Sequence, residues 1–156
     1  MKISTNFIEA HIIRERENQI EFLLLKRSSN QWFPNLWQMV SGKIKEGEKA
    51  FQSAIREIQE ETGLKPEKFW VLPNINSFYL VEDESINLVP VFVAKVDFNS
   101  EINISSEHSE FRWVSGSEAK ELLAWPGQRR SVDIIEECFD ISKKSFLYLM
   151  EIKLEY

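Results

Sequence analysis

Residues 42–64 carry the strongest structural signal in the chain and read GKIKEGEKAFQSAIREIQEETGL. Four apolar side chains in this segment share one face of a helical wheel, namely Phe51, Ala54, Ile55 and Ile58. That spacing is typical of an amphipathic helix, and Gly63 stands where a left-handed C-terminal cap is expected. We therefore predict a helix over Lys49–Thr62.

The opposite face of this helix carries three glutamates, Glu57, Glu60 and Glu61. Offsets of three and four residues bring Glu60 and Glu61 to either side of Glu57. Like charges at this spacing repel one another, and Arg56 can screen only part of that repulsion. A divalent cation between the glutamates would replace this repulsion with attraction, and carboxylate oxygens suit Mg²⁺ or Mn²⁺. The ordinary alternative is a solvated acidic face that only keeps the helix soluble.

The loop before the helix contains two glycines, Gly42 and Gly47. Glycines let backbone amides turn toward an anion, and the start of a helix adds partial positive charge. Lys43 could assist as a point charge on phosphate. An anion-binding loop followed by a carboxylate cluster indicates a site for a metal and a polyphosphate.

Composition and charge exclude several classes of protein. The 156 residues are 43% hydrophobic and 28% charged, as in an ordinary globular protein of one domain. The net charge of −6 argues against nucleic-acid binding. The longest apolar run, Phe22–Leu25, is too short to cross a membrane, and residues 1–15 hold no apolar signal segment. With Cys138 as its only cysteine, we expect a cytoplasmic protein and a buried thiol.

Alternating and apolar runs elsewhere predict strands on both sides of the central helix and helices at the end of the chain. The predicted strands are Phe7–Ile13, Ile20–Arg27, Trp37–Val40, Phe69–Val81, Leu88–Val96 and Phe111–Val114. The further predicted helices are Ser117–Ala124, capped by Ser115 or Ser117, and Ser131–Met150, with a chain break at Trp125–Gly127 between them. This order indicates a mixed α/β sandwich.

The segment 42–64 resembles the signature of the Nudix family, G-x5-E-x7-R-E-U-x-E-E-x-G-U, where U is a bulky apolar residue. Every specified position matches, namely Gly42, Glu48, Arg56, Glu57, Ile58, Glu60, Glu61, Gly63 and Leu64. Further along, Glu110–Val114 followed by Ser117 resembles the late strand and helix start common in that family. The resemblance implies a Nudix-type α/β/α sandwich with a mixed β-sheet, and one domain over residues 1–156.

Nudix enzymes hydrolyse a nucleoside diphosphate linked to another group, with Mg²⁺ held by the signature helix. The resemblance implies that Glu57, Glu60 and Glu61 bind this metal, with Mn²⁺ as the alternative ion. Glu48 is implied as an occasional helper, and Arg56 as the residue that orients the glutamates. One carboxylate serves as general base, and the family places that base either on the helix or on a later loop.

Two short segments are similar to bacterial dihydroneopterin triphosphate pyrophosphatases. Trp37–Gly42 reads WQMVSG and matches their entry to the signature, whereas the dinucleoside polyphosphate and ADP-ribose branches usually have proline at the position of Val40. The pair Glu107 and His108 lies at the same distance from the late tryptophan as a pair in those enzymes. The resemblance implies that Glu107 is a further metal ligand or the base; the alternative is an ordinary loop carboxylate. His108 is expected near the site or at the surface.

The remaining candidates concern substrate binding. The predicted set is Gly42, Lys43, Arg27, Trp37 and Arg129, and the predicted catalytic set is Glu60, Glu61, Glu107 and Arg56. Trp37 could stack on a pterin or purine ring together with Trp32 and Phe33, but core packing is the default for Trp37. Arg27 and Arg129 could each meet phosphate or simply lie at the surface.

The sequence thus predicts a Mg²⁺-dependent enzyme that converts a (deoxy)nucleoside triphosphate, such as dATP, or dihydroneopterin triphosphate to the monophosphate and pyrophosphate. Two alternatives stay open: hydrolysis of ADP-ribose or a dinucleoside polyphosphate, and a non-catalytic regulator that binds a nucleotide. The expected partner is therefore a small nucleotide or pterin triphosphate, without nucleic acid or membrane. Oligomers are common in the family, which leaves a homodimer open.

Overall fold

The structure is a computed structural model that describes residues 1–140 and 150–156. Within these residues the chain forms eight strands and three helices. The strands are β1 (Lys2–Ser4), β2 (Phe7–Arg16), β3 (Gln19–Arg27), β4 (Trp37–Gln38), β5 (Val40–Lys43), β6 (Lys68–Leu80), β7 (Ser85–Lys95) and β8 (His108–Val114). The helices are α1 (Ala50–Thr62), α2 (Gly116–Leu122) and α3 (Pro126–Phe139).

The strands form one mixed sheet, which confirms the predicted α/β class. Strand β7 runs parallel to β1 and β2, and the other pairs are antiparallel. Strands β2 and β3 pair directly only between Ile12–Arg16 and Gln19–Leu23. On the N-terminal side of Ile12 the two strands diverge, and there β5 pairs with β2 while β4 pairs with the end of β3. The segment 37–43 is therefore inserted between two diverging strands, and its Gly42 lies beside Glu57 of α1.

Alternation along the strands builds a core on each face of the sheet. In β3, Leu23 and Leu25 pack with the core under α1, whereas Phe22 and Leu24 pack with the core under α2 and α3. A strand covered on both faces explains why this run is continuously apolar. Helix α1 contributes Ile58, which is fully buried. The two cores fix α1 on one face of the sheet and α3 on the other.

The main correction concerns the last helix. Trp125–Gly127 was expected to break the chain, but α3 begins at Pro126, because proline at the first helical position needs no hydrogen-bond partner and already has a helical φ. The helix ends at Phe139, since Asp140 has an extended backbone. The predicted continuation over 141–149 lies outside the described residues, and Met150 lies in a turn. Cys138 is buried on α3, as predicted.

Other elements differ from prediction mainly at their ends. Strand β1 was not predicted, because three residues give no periodic signal. The predicted strand Trp37–Val40 divides into β4 and β5. Helix α2 starts after Ser115, whose hydroxyl accepts a hydrogen bond from the amide of Glu118 as an N-cap. No helix within residues 1–140 and 150–156 is long and apolar enough to cross a membrane.

Candidate active site

Gly42 lies where β5 packs directly against α1. A Cβ atom at this position would come within 2.3 Å of the Glu57 side chain, far inside van der Waals contact. Gly42 pairs with Ile8 of β2, so the strand has no freedom to move away. Packing therefore requires glycine here, because any side chain would displace the Glu57 carboxylate.

Glu48 anchors the start of α1 through both of its carboxylate oxygens. Arg56 donates from Nε to Oε1 at 2.8 Å and from Nη2 to Oε2 at 3.0 Å. The Ser53 hydroxyl and the Lys45 amide donate to Oε2 as well. Arg56 first, then Ser53, lowers the pKa of Glu48 to about 2. This carboxylate is fully ionised and well supplied with donors.

Arg56 extends this network to two further glutamates. Its Nη1 donates to Glu57 Oε1 at 2.5 Å and to Glu60 Oε2 at 3.1 Å. Its Nη2 also donates to the backbone oxygen of Lys43 at 3.0 Å. Contact with Glu48 above all raises the pKa of Arg56, so the guanidinium stays charged. One cation thus ties the β5 loop to three carboxylates.

Glu61 has a very different environment at the other end of the helix. It is 3% exposed, and its Oε2 has no hydrogen-bond partner among the described residues. Burial, followed by the charges of Glu57 and Glu107, raises the pKa of Glu61 to about 9, although Arg27 opposes the shift. Glu61 is therefore a buried carboxyl group that faces other carboxylates.

Glu57, Glu61 and Glu107 supply the donor chemistry that a divalent cation takes, although they do not converge on one point in this structure. The unpartnered Glu61 oxygen and the mutual repulsion of these groups are conditions that such a cation relieves, and every donor is a hard oxygen. In the described part of the chain, no three acidic, His or Cys side chains converge closely enough to complete a metal site. Arg56 pairs with Glu57 and Glu60 here, so these side chains would have to turn in order to bind a metal.

Glu107 belongs to a turn that is fastened to the end of β3. The Ser28 amide donates to the Glu107 oxygen at 2.9 Å, and the Ser28 hydroxyl donates to the Ser106 oxygen at 2.9 Å. The Glu107 side chain is exposed. After burial, its charge is among the causes that raise the pKa of Glu57 and Glu61. A hydrogen-bonded backbone thus holds an exposed carboxylate beside the helix glutamates.

Gln38 connects Arg27 to His108 on the same face of the sheet. Arg27 Nη1 donates to Gln38 Oε1 at 3.3 Å, and Gln38 Nε2 lies 3.0 Å from His108 Nε2. Because the amide nitrogen donates, His108 accepts and is a neutral imidazole. Burial, then Arg27, lowers the pKa of His108 to about 4, which agrees with this state. Sequence analysis gave Gln38 no role, because only the register of β3, β4 and β8 reveals this contact.

The other predicted substrate-binding residues divide into two groups. Lys43 and Arg27 lie near the helix glutamates. The backbone oxygen of Lys43 accepts a hydrogen bond from Arg56, and the charge of Arg27 acts to lower the pKa of Glu61. Trp37 instead packs with the α2–α3 core on the other face, under the Arg112 guanidinium at 4.7 Å. Arg129 donates to the Leu123 and Ala124 oxygens and so closes the end of α2. The substrate contacts of all these residues stay predictions.

The two loop aromatics proposed for stacking are both exposed. Trp32 is 81% exposed and Phe33 is 55% exposed. Phe33 meets Trp125 edge-to-face, with ring centroids 5.5 Å apart. Trp125 itself is 48% exposed, which makes this pair an apolar surface at the start of α3.

Known proteins resemble this chain in sequence and in fold. A family model described as the NUDIX domain matches residues 8–135. The asymmetrical bis(5′-nucleosyl)-tetraphosphatase of Mus musculus is 32% identical over 115 residues, covering 72% of this chain and 76% of that protein. A NUDIX hydrolase structure from Listeria monocytogenes has a TM-score of 0.78 at 22% identity, covering 90% and 97% of the two chains.

A further solved structure bears on the predicted subfamily. The dihydroneopterin triphosphate pyrophosphohydrolase of E. coli has a TM-score of 0.70 at 20% identity, covering 86% of this chain and 98% of that one. At this level of identity the likeness concerns the fold alone.

Proposed function

This chain belongs to the Nudix family, and from that premise we propose that it is a Mg²⁺-dependent hydrolase of nucleoside polyphosphates. Cleavage of a phosphoanhydride bond is the reaction class of a Nudix pyrophosphohydrolase. The observation that carries the proposal is Glu61, a buried carboxyl group with an unpartnered oxygen, faced by Glu57 and Glu107.

In this proposal, Glu57, Glu60 and Glu61 hold the metal, and Glu107 completes or assists the set. When bound, Mg²⁺ neutralises the charge that builds on phosphate oxygens without any proton transfer. Arg56 positions the Glu57 and Glu60 carboxylates through its Nη1 contacts.

Proton transfer and phosphate binding fall to other residues of the chain. Glu107 is the proposed base, because its exposed carboxylate can accept a proton from water while its backbone is held by Ser28. General-base catalysis of this kind contributes about 10²–10⁴-fold. Arg27 and Lys43 offset the negative charge of the substrate phosphates at the edge of the glutamate cluster.

For the substrate, we place dinucleoside tetraphosphates first. The mouse relative carries that activity in its name and shares 32% identity with this chain over 115 residues. Val40 argues against this branch, which usually has proline at that position. The sequence shows only that a usual proline is replaced, and the replacement does not alter any carboxylate of the site.

A triphosphate, of a nucleoside or of dihydroneopterin, is the second candidate. It is favoured by the Gln38–His108 contact at 3.0 Å, which joins the two segments that resemble the dihydroneopterin triphosphate enzymes. The joined pair also orients Arg27, a predicted phosphate contact.

The test is direct chromatography of products from diadenosine and diguanosine tetraphosphate, from nucleoside triphosphates and from dihydroneopterin triphosphate. We expect turnover with Mg²⁺ and none with EDTA. Asymmetrical cleavage of a tetraphosphate yields a triphosphate and a monophosphate, whereas a triphosphate yields a monophosphate and pyrophosphate. Glu60→Gln should lower turnover by orders of magnitude, and Glu46→Gln, in the exposed loop before α1, should leave it unchanged. Nucleotide binding without any product would identify a non-catalytic module instead.

A further inference from the structure

A second polar cluster lies on the face of the sheet opposite α1. It contains Glu9 of β2, Asn74 and Asn76 of β6, and Gln128 and Ser131 of α3. Ile8 and Ala10, the chain neighbours of Glu9, belong to the core under α1, so the alternation of β2 turns Glu9 toward α3. The proposed hydrolytic mechanism uses none of these side chains.

Glu9 is the centre of the cluster. Asn76 Nδ2 donates to its Oε2, and Gln128 Nε2 donates to its Oε1 at 3.3 Å. Burial raises the pKa of Glu9, although both amides oppose the shift. Each carboxylate oxygen accepts one hydrogen bond from these amides and has a lone pair left for another donor.

Gln128 supplies an independent sign that the cluster is incomplete without a ligand. The residue is only 7% exposed, yet its Oε1 has no hydrogen-bond partner within the described residues. A buried amide oxygen without a donor costs free energy, so few persist without a reason. The cluster therefore presents acceptors from two neighbouring side chains, Glu9 and Gln128.

The backbone around this cluster is arranged for close approach. A Cβ atom at Gly127 would come within 2.6 Å of Asn76 Oδ1, so only glycine lets the first turn of α3 meet β6. The same turn begins at Trp125, whose backbone oxygen accepts a hydrogen bond from the backbone N–H of Gln128 at 3.1 Å. The exposed Phe33–Trp125 pair thus stands one turn from Gln128 and provides an apolar surface for a flat ring.

The cluster is also connected to the phosphate side of the molecule. Glu9 pairs with Ser41, the residue before Gly42, across the β2–β5 register. Glu9 and Gly42 are therefore on adjoining strands, and their side-chain positions point to opposite faces of the sheet.

We propose that Glu9 and Gln128 form a base-recognition site that accepts the 2-amino-oxo-pyrimidine edge shared by guanine and pterins. That edge presents a ring N–H and an adjacent amino group, two donors that match two neighbouring acceptors. Adenine presents one donor beside an acceptor, which would meet a carboxylate or amide oxygen unfavourably. This assignment rests on the proposed function, because it names the ring that the hydrolysed polyphosphate carries.

The test measures binding without catalysis, by isothermal titration calorimetry of GMP, IMP and AMP in EDTA. IMP lacks only the amino group, so we expect GMP to bind at least about tenfold more tightly than IMP or AMP. Guanosine and dihydroneopterin form a second pair of ligands, and the tighter of the two identifies the source of the edge. Equal affinities for GMP and IMP, or tighter binding of AMP, would overturn the assignment.

Two variants assign the preference to the named residues. Glu9→Gln should remove the difference between GMP and IMP, and Gln128→Met should reduce it, if either variant folds as judged by circular dichroism. The matched control is Glu15→Gln on the same strand, where the carboxylate pairs with Lys95 at 3.4 Å; it should keep the preference. Because EDTA prevents turnover, absence of a GMP preference in the parent protein refutes the base site alone. Absence of products with Mg²⁺ refutes the hydrolase alone.

Discussion

Glu48 and Glu61 stand at opposite ends of the same loop and helix, and their surroundings differ in every respect. Glu48 has four donors on its oxygens and a pKa of about 2. Glu61 has an unpartnered oxygen, carboxylate neighbours and a pKa of about 9. The first end is complete within the protein and serves to position Arg56. The second end lacks a donor for one carboxyl oxygen, a deficit that a bound cation would relieve.

The largest effect is expected from Glu61→Gln, which keeps the shape of the side chain but removes its charge. Turnover of a tetraphosphate or triphosphate with Mg²⁺ should fall by about 10²–10⁴-fold, the scale of losing a group that acts directly in the reaction. Because the folded protein holds this carboxyl group protonated without metal, the unfolding midpoint in EDTA should not fall. Steady-state kinetics and urea unfolding measure the two quantities. Full turnover in the variant would show that the uncompensated end has no role.

Gly42→Ala tests whether packing of the loop sets the position of Glu57. The added Cβ would lie 2.3 Å from the Glu57 side chain, so that carboxylate must move. We expect kcat/KM to fall by about 100-fold, as for a misplaced catalytic group, and stability to fall by about 1–3 kcal/mol from overpacking. Kinetics and urea unfolding of the same preparation give both values. Unchanged kinetics would mean that Glu57 tolerates displacement.

The two ends should also respond to pH with opposite signs in metal-free protein. The folded pKa of Glu48 is about 2, below its ordinary 4.5, so its stabilisation is present above pH 4.5 and is lost as the pH falls toward 2. The folded pKa of Glu61 is about 9, so its stabilisation is present below pH 4.5 and is lost as the pH rises toward 9.

Urea unfolding midpoints measured across pH in EDTA check this difference. Glu61→Gln should flatten the decline between pH 4.5 and 9, whereas Glu48→Gln should flatten the decline below pH 4.5. If both variants kept the pH profile of the parent protein, the contrast between the two ends would be wrong.

The smallest effect is expected from Gly47→Ala, at the Glu48 end of the loop. Gly47 has a φ of +79° and nothing within 4 Å of a built Cβ, so the cost is that of the left-handed backbone alone. We expect about 1 kcal/mol of lost stability and nearly unchanged turnover. This variant is the matched glycine control for Gly42→Ala. A loss of turnover as large as that of Gly42→Ala would contradict the packing argument.

Local signals predicted most of the fold. The helix over Lys49–Thr62 was predicted within one residue of its observed start at Ala50, because apolar spacing and Gly63 mark both of its ends. The start of α3 was predicted wrongly because proline is found both where helices end and at the first position of helices. The start of the last helix was predicted five residues late, at Ser131 instead of Pro126, and its predicted continuation over 141–149 lies outside the described residues.

The two halves of the candidate site differ in how far sequence could anticipate them. Glu57, Glu60 and Glu61 are close in sequence, so helical spacing alone places them together. The hydrogen bonds of Gln38 could not be predicted, because its partners Arg27 and His108 come from β3 and β8. The cluster of Glu9 and Gln128 gave none either, because residues distant along the chain meet only after β2, β6 and α3 have packed.

Insertion of β4 and β5 between β2 and β3 has a consequence for how the molecule acquires its activity. Helix α1 forms from neighbouring residues, but the strand pairs Glu9–Val91 and Phe22–Val114 join distant parts of the chain. Contacts between residues far apart in the sequence form slowly. The turn that carries Glu107 is fastened to Ser28 only once β8 pairs with β3. The acidic helix therefore depends on neighbouring residues alone, whereas the placement of Glu107 beside it depends on strand pairs that extend to residue 114.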